Sequence, residues 1–211
     1  MNTILKNTIS ITVITLVAGL ALGVVQDITA GPIATQQEKS KEEAYKTVFE
    51  DADTFEVYSA DDGLATALAD NGFTAQTIDE IMVAQDSSGE TLGYAFTVTD
   101  SEGYGGDIQF AIGVQNDGTL NGISILSISE TAGLGIKANT DSFKDQFKNK
   151  KVEKFSYTKT GATSDEQIDA ISGATITTNA MTNGVNAGLC AFQYVEGGTE
   201  SLKQIHLLNV L

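Results

Sequence analysis

The chain has 211 residues, a length that suits one domain with an appendage and excludes a large multidomain enzyme. Twelve basic residues, all Lys, stand against 28 acidic ones for a net charge of -16, which argues against a nucleic-acid partner because that binding depends on clustered positive charge. A single Cys, Cys190, excludes an intrachain disulfide framework, a CxxC pair and a self-contained iron–sulfur or thiolate zinc site. With 41% apolar residues and one Pro the chain can bury a core, so its chemistry must come from carboxylates, hydroxyls or a borrowed group.

Twenty uncharged residues run from Asn7 to Gln26, with an apolar centre from Ile9 to Val25. About 20 mostly apolar residues suffice for one membrane span, and the stretch exceeds the usual signal-peptide core of about 7–15. The reading taken is a retained anchor, with a cleaved signal peptide ending near Ile28-Thr29-Ala30 as the alternative. Lys6 before the span and Asp27, Glu38, Glu42 and Glu43 after it place the N-terminus in the cytoplasm and the rest outside it. Lys6 and Asp27 cancel, so the segment from Gly31 onwards carries the whole -16. That acidity is uneven: 17 of the 28 carboxylates lie between Glu38 and Asp107, and seven of the 12 lysines between Lys137 and Lys159. The lysine-rich strip is either an anion site or a solvated charged surface.

Ser40-Lys41-Glu42-Glu43 reads as a capping box that opens a short amphipathic helix to Glu50. Leu92, Tyr94, Phe96 and Val98 alternate with small or polar residues, as do Ile108, Phe110, Ile112 and Val114, so each set fits a half-buried strand. Asn116-Asp117-Gly118 signals a hairpin into a third strand from Leu120 to Ile128, giving an antiparallel meander. Thr140 to Lys150 reads as helical with Thr140 as cap, and Val152 to Tyr157 as a strand. Met181, Val185, Leu189 and Phe192 repeat at helical spacing between Thr178 and Val195. Strands first and helices flanking them predict an α+β fold: an anchor at residues 1–30, a linker and short helix at 31–52, and one domain at 53–211.

Three segments are dense in Gly, Ser and Thr. Gly103-Tyr104-Gly105-Gly106 lies between two strands and reads as an ordinary turn. Ser129-Glu130-Thr131-Ala132-Gly133-Leu134-Gly135 follows a strand; its glycines let the backbone approach a ligand, though without Gly-Lys-[Ser/Thr] it is no nucleotide P-loop. A plain surface loop is the alternative there. Asp169-Ala170-Ile171-Ser172-Gly173-Ala174-Thr175-Ile176-Thr177 leads into the long C-terminal helix, whose unpaired N–H groups would favour phosphate. Simple capping by Thr177 or Thr178 accounts for the residues equally well. Cys190 reads as a packed small residue, and His206 as a surface residue. Ile205 to Leu211, with five apolar residues, reads as either a final strand or a partner contact.

The stretch Asp169 to Thr175 resembles the Asp-x-x-[Ser/Thr]-Gly-Ala-Thr signature of flavin transferase targets, and Glu130 to Gly135 resembles the Glu-Thr-Pro-Gly-Leu-Gly element of the FMN-binding domain family, with Ala132 where the family has Pro. Their order, about 40 residues apart behind one apolar helix, is similar to the G subunit of Rnf ion-translocating electron transport complexes. The C subunit of Na+-translocating NADH:quinone oxidoreductases is a near relative. The resemblance implies covalent FMN on Thr175 through a phosphoester bond made by a separate flavin transferase. It implies further contacts from Asp169, Ser172, Gly173, Ala174, Thr177, Glu130, Thr131, Gly133, Leu134, Gly135 and Lys137. No catalytic side chain and no metal site are expected. The implied role is electron carriage in a cell-membrane complex that couples ferredoxin and NAD oxidoreduction to Na+ or H+ movement, with membrane and peripheral subunits as partners. The alternatives are a protein like the quinone-reductase C subunit, a stand-alone membrane-anchored extracytoplasmic reductase and a non-redox binding domain.

Overall fold

The computed structural model describes the backbone of residues 2–208 and the side chains of residues 2–197. It divides into two units, Met1–Glu42 and Glu43–Leu211. The first unit consists of most of helix α1 (Thr3–Val48), whose apolar residues from Ile4 to Ile33 are exposed. This helix is long and apolar enough to cross a membrane. Thr8, Ser10, Thr12 and Thr29 donate their hydroxyls to carbonyls four residues back, so the polar side chains of the apolar stretch satisfy themselves locally. The expected helix start at Ser40 is not observed: α1 runs through it, past Pro32. A capping box stops nothing upstream when the preceding residues already hold helical geometry, and there Ser40 is simply an interior helical residue.

Five strands form an antiparallel meander in the order β1 (Thr54–Val57), β2 (Gln76–Gln85), β3 (Thr91–Asp100), β4 (Ile108–Gln115) and β5 (Leu120–Ser127). Helix α2 (Gly63–Asp70) lies between β1 and β2. The alternation seen in the sequence sets β3 and β4 in register, Phe96 opposite Ile112 and Val98 opposite Phe110. The turn expected at Asn116-Asp117-Gly118 is present: Gly118 takes φ 86° and the Asp117 carboxylate accepts the Thr119 N–H at 2.9 Å.

Beyond the sheet, Gly135–Asn139 forms a 3-10 turn, followed by α3 (Asp141–Lys144) and a second short turn at Asp145–Phe147. The expected helix Thr140 to Lys150 is therefore broken into pieces, and Thr140 donates its hydroxyl to the Lys137 carbonyl instead of capping. Phe143 and Phe147 are nonetheless buried as their spacing predicts. Of the expected strand Val152 to Tyr157 only the end is strand: β6 (Ser156–Thr158) pairs in parallel with β7 (Gln167–Asp169). Helix α4 spans Thr175–Leu208, so residues 205–208 continue a helix rather than forming a strand. The side chains of His206 and of the run 205–211 lie outside the described residues. The architecture is α+β, as expected.

One face of the sheet carries Phe96, Val98, Phe110, Ile112 and Val114 against Met181, Val185, Leu189 and Phe192 of α4. Gly184 and Gly188 bring α4 close: a Cβ at Gly184 would meet the Phe110 ring at 2.6 Å, and one at Gly188 would overlap Ile112. The other face is lined by Ala84, Ala95 and Ala111 and receives Ala44, Tyr45, Val48 and Phe49. Full burial of each large side chain contributes about 1.5–3 kcal/mol, so the α4 face holds most of the hydrophobic stabilisation.

Candidate functional site

The β7–α4 junction carries the motif. Ile171 is buried and its carbonyl accepts the Ala174 N–H at 3.0 Å, closing a turn in which Gly173 takes φ 78°. A residue with a Cβ is disfavoured at that dihedral, which accounts for Gly at this position. The Thr178 hydroxyl, wholly buried, accepts the Ile171 N–H at 3.0 Å and so ties the turn to the helix. Thr178 also donates its hydroxyl to the Ala174 carbonyl at 2.9 Å, so it braces the turn without accepting a helix N-terminal N–H. Thr178 N–H bonds to the Ala174 carbonyl at 3.0 Å as the first helical bond. The N–H groups of Thr175, Ile176 and Thr177 therefore have no intrahelical acceptor. Ser172 and Gly173 are exposed, and Thr175, the first helical residue, is half-buried.

The second loop meets this turn. Thr131 O accepts N–H groups from Leu134 and Ile136, and Gly133 takes φ 77°, so the loop curls back without needing Pro at Ala132. Leu134 reaches Gly173, where a Cβ would lie 3.1 Å from Leu134 Cδ2. Gly135 is buried between the Glu130 carboxylate and the Thr177 hydroxyl, and a Cβ there would overlap both. Its role as glycine is close approach: the loop sits directly on the first turn of α4.

The third segment, read from sequence as an ordinary turn, belongs to the same assembly. Gly105 N–H donates to Glu130 Oε1 at 3.3 Å, and a Cβ on Gly105 would overlap the Ser129 carbonyl. Behind it, Asp100 is fully buried, accepting the Glu102 N–H at 2.7 Å and the Gln76 side-chain amide at 2.7 Å. Gln76 also donates to Glu102 at 3.0 Å, and Asn183 of α4 donates to Glu102 at 2.8 Å. Burial pushes the Asp100 carboxyl up to about 6. Gln76, Asp100, Glu102 and Asn183 escaped sequence reasoning, and Gly105 was read only as part of a turn; polar residues at buried strand ends, two residues apart in Asp100-Ser101-Glu102, were the available signal.

Beside the motif turn lies a cleft of about 500 Å³, lined among others by Lys137, Thr140, Ser142, Gln146, Asp169 and Ser172. Small-ligand sites commonly occupy ~300–1,000 Å³. Asp169 turns its carboxylate to the Ala162 N–H at 2.7 Å and so fastens the preceding loop. The lysine strip does not act as one patch: Lys144, Lys150 and Lys151 pair with Asp141, Asp165 and Asp117, and Lys154 lies over the Phe73 ring. Lys137 is exposed on the cleft wall with no carboxylate partner among the described residues. Cys190 is half-buried against the core, where burial pushes its thiol up, in keeping with a packing role.

These residues fit a flavin mononucleotide. Free helix N-terminal N–H groups suit a phosphate, and Lys137 adds the one unpaired positive charge on the cleft wall. In the unit Glu43–Leu211 the large exposed apolar side chains among the described residues are Val57, Tyr104, Leu134 and Ile176. Three of these four lie on the three converging segments, where a flat apolar ring would need cover.

Residues 103–189 match the FMN-binding domain family, a span that contains all three segments. The chain is 33% identical to the G subunit of the Na+-translocating ferredoxin:NAD+ oxidoreductase complex of Acetobacterium woodii, over 86% of this chain and 87% of that one. It is 29% identical to the G subunit of the proton-translocating ferredoxin:NAD+ oxidoreductase complex of Clostridium ljungdahlii, over 93% and 96%. In fold it is similar to the crystal structure of the C subunit of Na+-translocating NADH-quinone reductase from Parabacteroides distasonis, with a TM-score of 0.52 and 19% identity over 77% and 94% of the two chains. The chain belongs to the family of G subunits of ion-translocating oxidoreductase complexes.

Proposed function

We propose that this protein is the electron-carrying subunit of a membrane-bound Rnf-type complex that couples ferredoxin and NAD oxidoreduction to Na+ or H+ translocation, with FMN joined to Thr175 by a phosphoester bond. The observation that carries the attachment site is Thr175 itself: the first residue of α4, half-exposed at the end of the motif, with free N–H groups beside its hydroxyl. A phosphodiester keeps one negative charge, which those N–H dipoles stabilise. The flavin supplies the electron chemistry, and the protein supplies position and electrostatics. Asp169 and Ala174 hold the motif turn, Ser172, Gly173, Thr131 and Thr177 border the phosphate and ribityl chain, Gly133 and Gly135 shape the loop, Leu134 meets the ring, and Lys137 offsets the acidic surround. A covalent tether makes a guanidinium clamp unnecessary in a chain without Arg.

In this reading a separate flavin transferase matures the protein, and α1 anchors it as a single span with a cytoplasmic N-terminus, the domain from about residue 53 standing outside the cytoplasm. The apolar stretch of α1 holds no carboxylate, so ion movement belongs to partner subunits. The chain alone has no complete activity. The fold likeness to the quinone-reductase C subunit favours a second reading, the equivalent place in an NADH:quinone oxidoreductase.

Denatured protein co-expressed with a flavin transferase is expected to retain flavin fluorescence on a gel, and Thr175→Ala to lose it completely while remaining folded. Folded Thr175→Ala that still carries covalent FMN overturns the site. The proteins that co-purify with the chain separate the two complexes, and their absence points to a free-standing reductase.

A further inference from the structure

Glu130 is 8% exposed, yet it forms no ion pair among the described residues. Its hydrogen bond there is the one from Gly105 N–H, and its other oxygen lies against Gly135. A buried carboxylate aimed at a loop amide serves to hold that loop. The residue next to Gly105 is Tyr104, 70% exposed, the most exposed large apolar side chain of the unit Glu43–Leu211 among the described residues. Large aromatic surface left in water on a loop fixed by a buried group is suited to a ligand, and the loop tied to it through Glu130 carries exposed Leu134, which reaches Gly173 of the motif. Gly105 itself accepts no side chain, because a Cβ would overlap the Ser129 carbonyl. The fixing is therefore specific to this backbone path.

We propose that Tyr104 is a further flavin-binding residue that covers the ring, and that Glu130 is its positioning residue, holding the Gly103–Gly106 loop against the Glu130–Gly135 loop through the Gly105 N–H. This rests on the flavin reading above. An aromatic ring stacked offset or edge-on to a π-system adds about 0.5–1.5 kcal/mol beyond area burial and requires a fixed approach. Glu130 gives that approach by reach, not by charge: an acceptor at the same distance serves equally, whereas a shorter acid does not.

The test separates reach from charge. In protein flavinylated at Thr175, Tyr104→Ala is expected to raise flavin emission several-fold, because a stacked phenol quenches it, with covalent loading unchanged. Glu130→Gln, which keeps an acceptor at the Gly105 N–H, is expected to stay at the wild-type emission, and Glu130→Asp, one methylene short, to rise towards Tyr104→Ala. In flavin-free protein, hydrogen exchange at the Gly105 amide is expected to quicken about tenfold in Glu130→Asp and to hold in Glu130→Gln. Emission unchanged in Tyr104→Ala overturns the stacking assignment. A response in Glu130→Gln with none in Glu130→Asp overturns the positioning role and shows Glu130 acting on the flavin through its charge. If Glu130→Asp fails to fold, Glu130→Leu, of similar size but without an acceptor, decides the clamp: faster exchange at the Gly105 amide than in wild type supports it and unchanged exchange removes it. Absence of covalent flavin from wild type is a separate result and bears on the attachment reading alone.

Discussion

The two faces of the five-stranded sheet are built from different residues. The α4 face has Phe96, Val98, Phe110, Ile112 and Val114, each wholly buried, and admits the helix through Gly184 and Gly188. The opposite face has Ala84, Ala95 and Ala111, with Gly113 leaving room for the Val48 carbonyl, and meets the last turns of α1. Large side chains on the sheet with glycine on the helix place α4 close while keeping the packing dense. Alanine on the sheet with Tyr45 on the helix and Phe49 just past its end places the bulk on the other partner. The first arrangement fixes the axis of the helix that begins at Thr175; the second fixes residues 44–49 at the end of α1. The polar bonds differ accordingly: Asp100, Gln76 and Glu102 close the site end of the α4 face, while on the other face the Tyr45 hydroxyl donates to Glu80 at 2.8 Å and lies 2.6 Å from buried Thr97.

The comparison breaks if the two faces respond alike. Phe110→Ala, facing Gly184, opens a cavity that no neighbour can fill, and is expected to cost about 3–5 kcal/mol, read as a lower urea midpoint at constant m. A cost nearer 1 kcal/mol would mean that α4 settles onto the sheet and that the support beneath Thr175 is soft.

Asp100 gives the next effect, with a sign. Its carboxyl, raised by burial to about 6 from an ordinary value of 3.8, binds its proton more tightly in the folded chain. The stability it contributes is complete below pH 3.8 and is lost as pH rises through about 6, by up to about 3 kcal/mol. Asp61, Asp86 and Asp117 act in the opposite sense and only at low pH, because hydrogen bonds from Tyr194, Ser88 and Thr119 respectively hold their carboxyls below the ordinary value. Thermal melts of wild type minus Asp100→Asn between pH 4 and 7 therefore isolate one falling term, and a flat difference removes Asp100 as its source.

The smallest effect belongs to the other face. Tyr45→Phe removes a hydroxyl shared by Glu80 and Thr97, at an expected cost of about 1 kcal/mol, with the flavin loading proposed for Thr175 untouched. A loss of loading in Tyr45→Phe would show the faces to be coupled.

Much of the α4 face was legible in the sequence. Strict alternation in β3 and β4 and helical spacing at Met181, Val185, Leu189 and Phe192 are direct consequences of burial on one side. β1, α2 and β2 were not read. In β2 the register slips between Ile78 and Glu80, which shifts the apolar alternation and sets Asp79 and Glu80 within the strand. The alanine face gave no signal either, since small residues suit a strand, a helix or a loop.

The sequence by itself determined the segments whose meaning is local. These are an uncharged run long enough to span a bilayer, an alternating hairpin pair, a Ser-Gly-Ala-Thr turn at a helix start, and a charge of -16 that left chemistry to a borrowed group. Only the tertiary structure decided what those segments do to one another. It freed Lys137 and paired Lys144, tied the Ile171 N–H to the Thr178 hydroxyl, and joined Gly103–Gly106 to Glu130 across 25 positions. The physical reason is that a hydrogen bond or a close backbone approach depends on distance in space, and in this chain the glycines that permit those approaches have no periodicity to announce them.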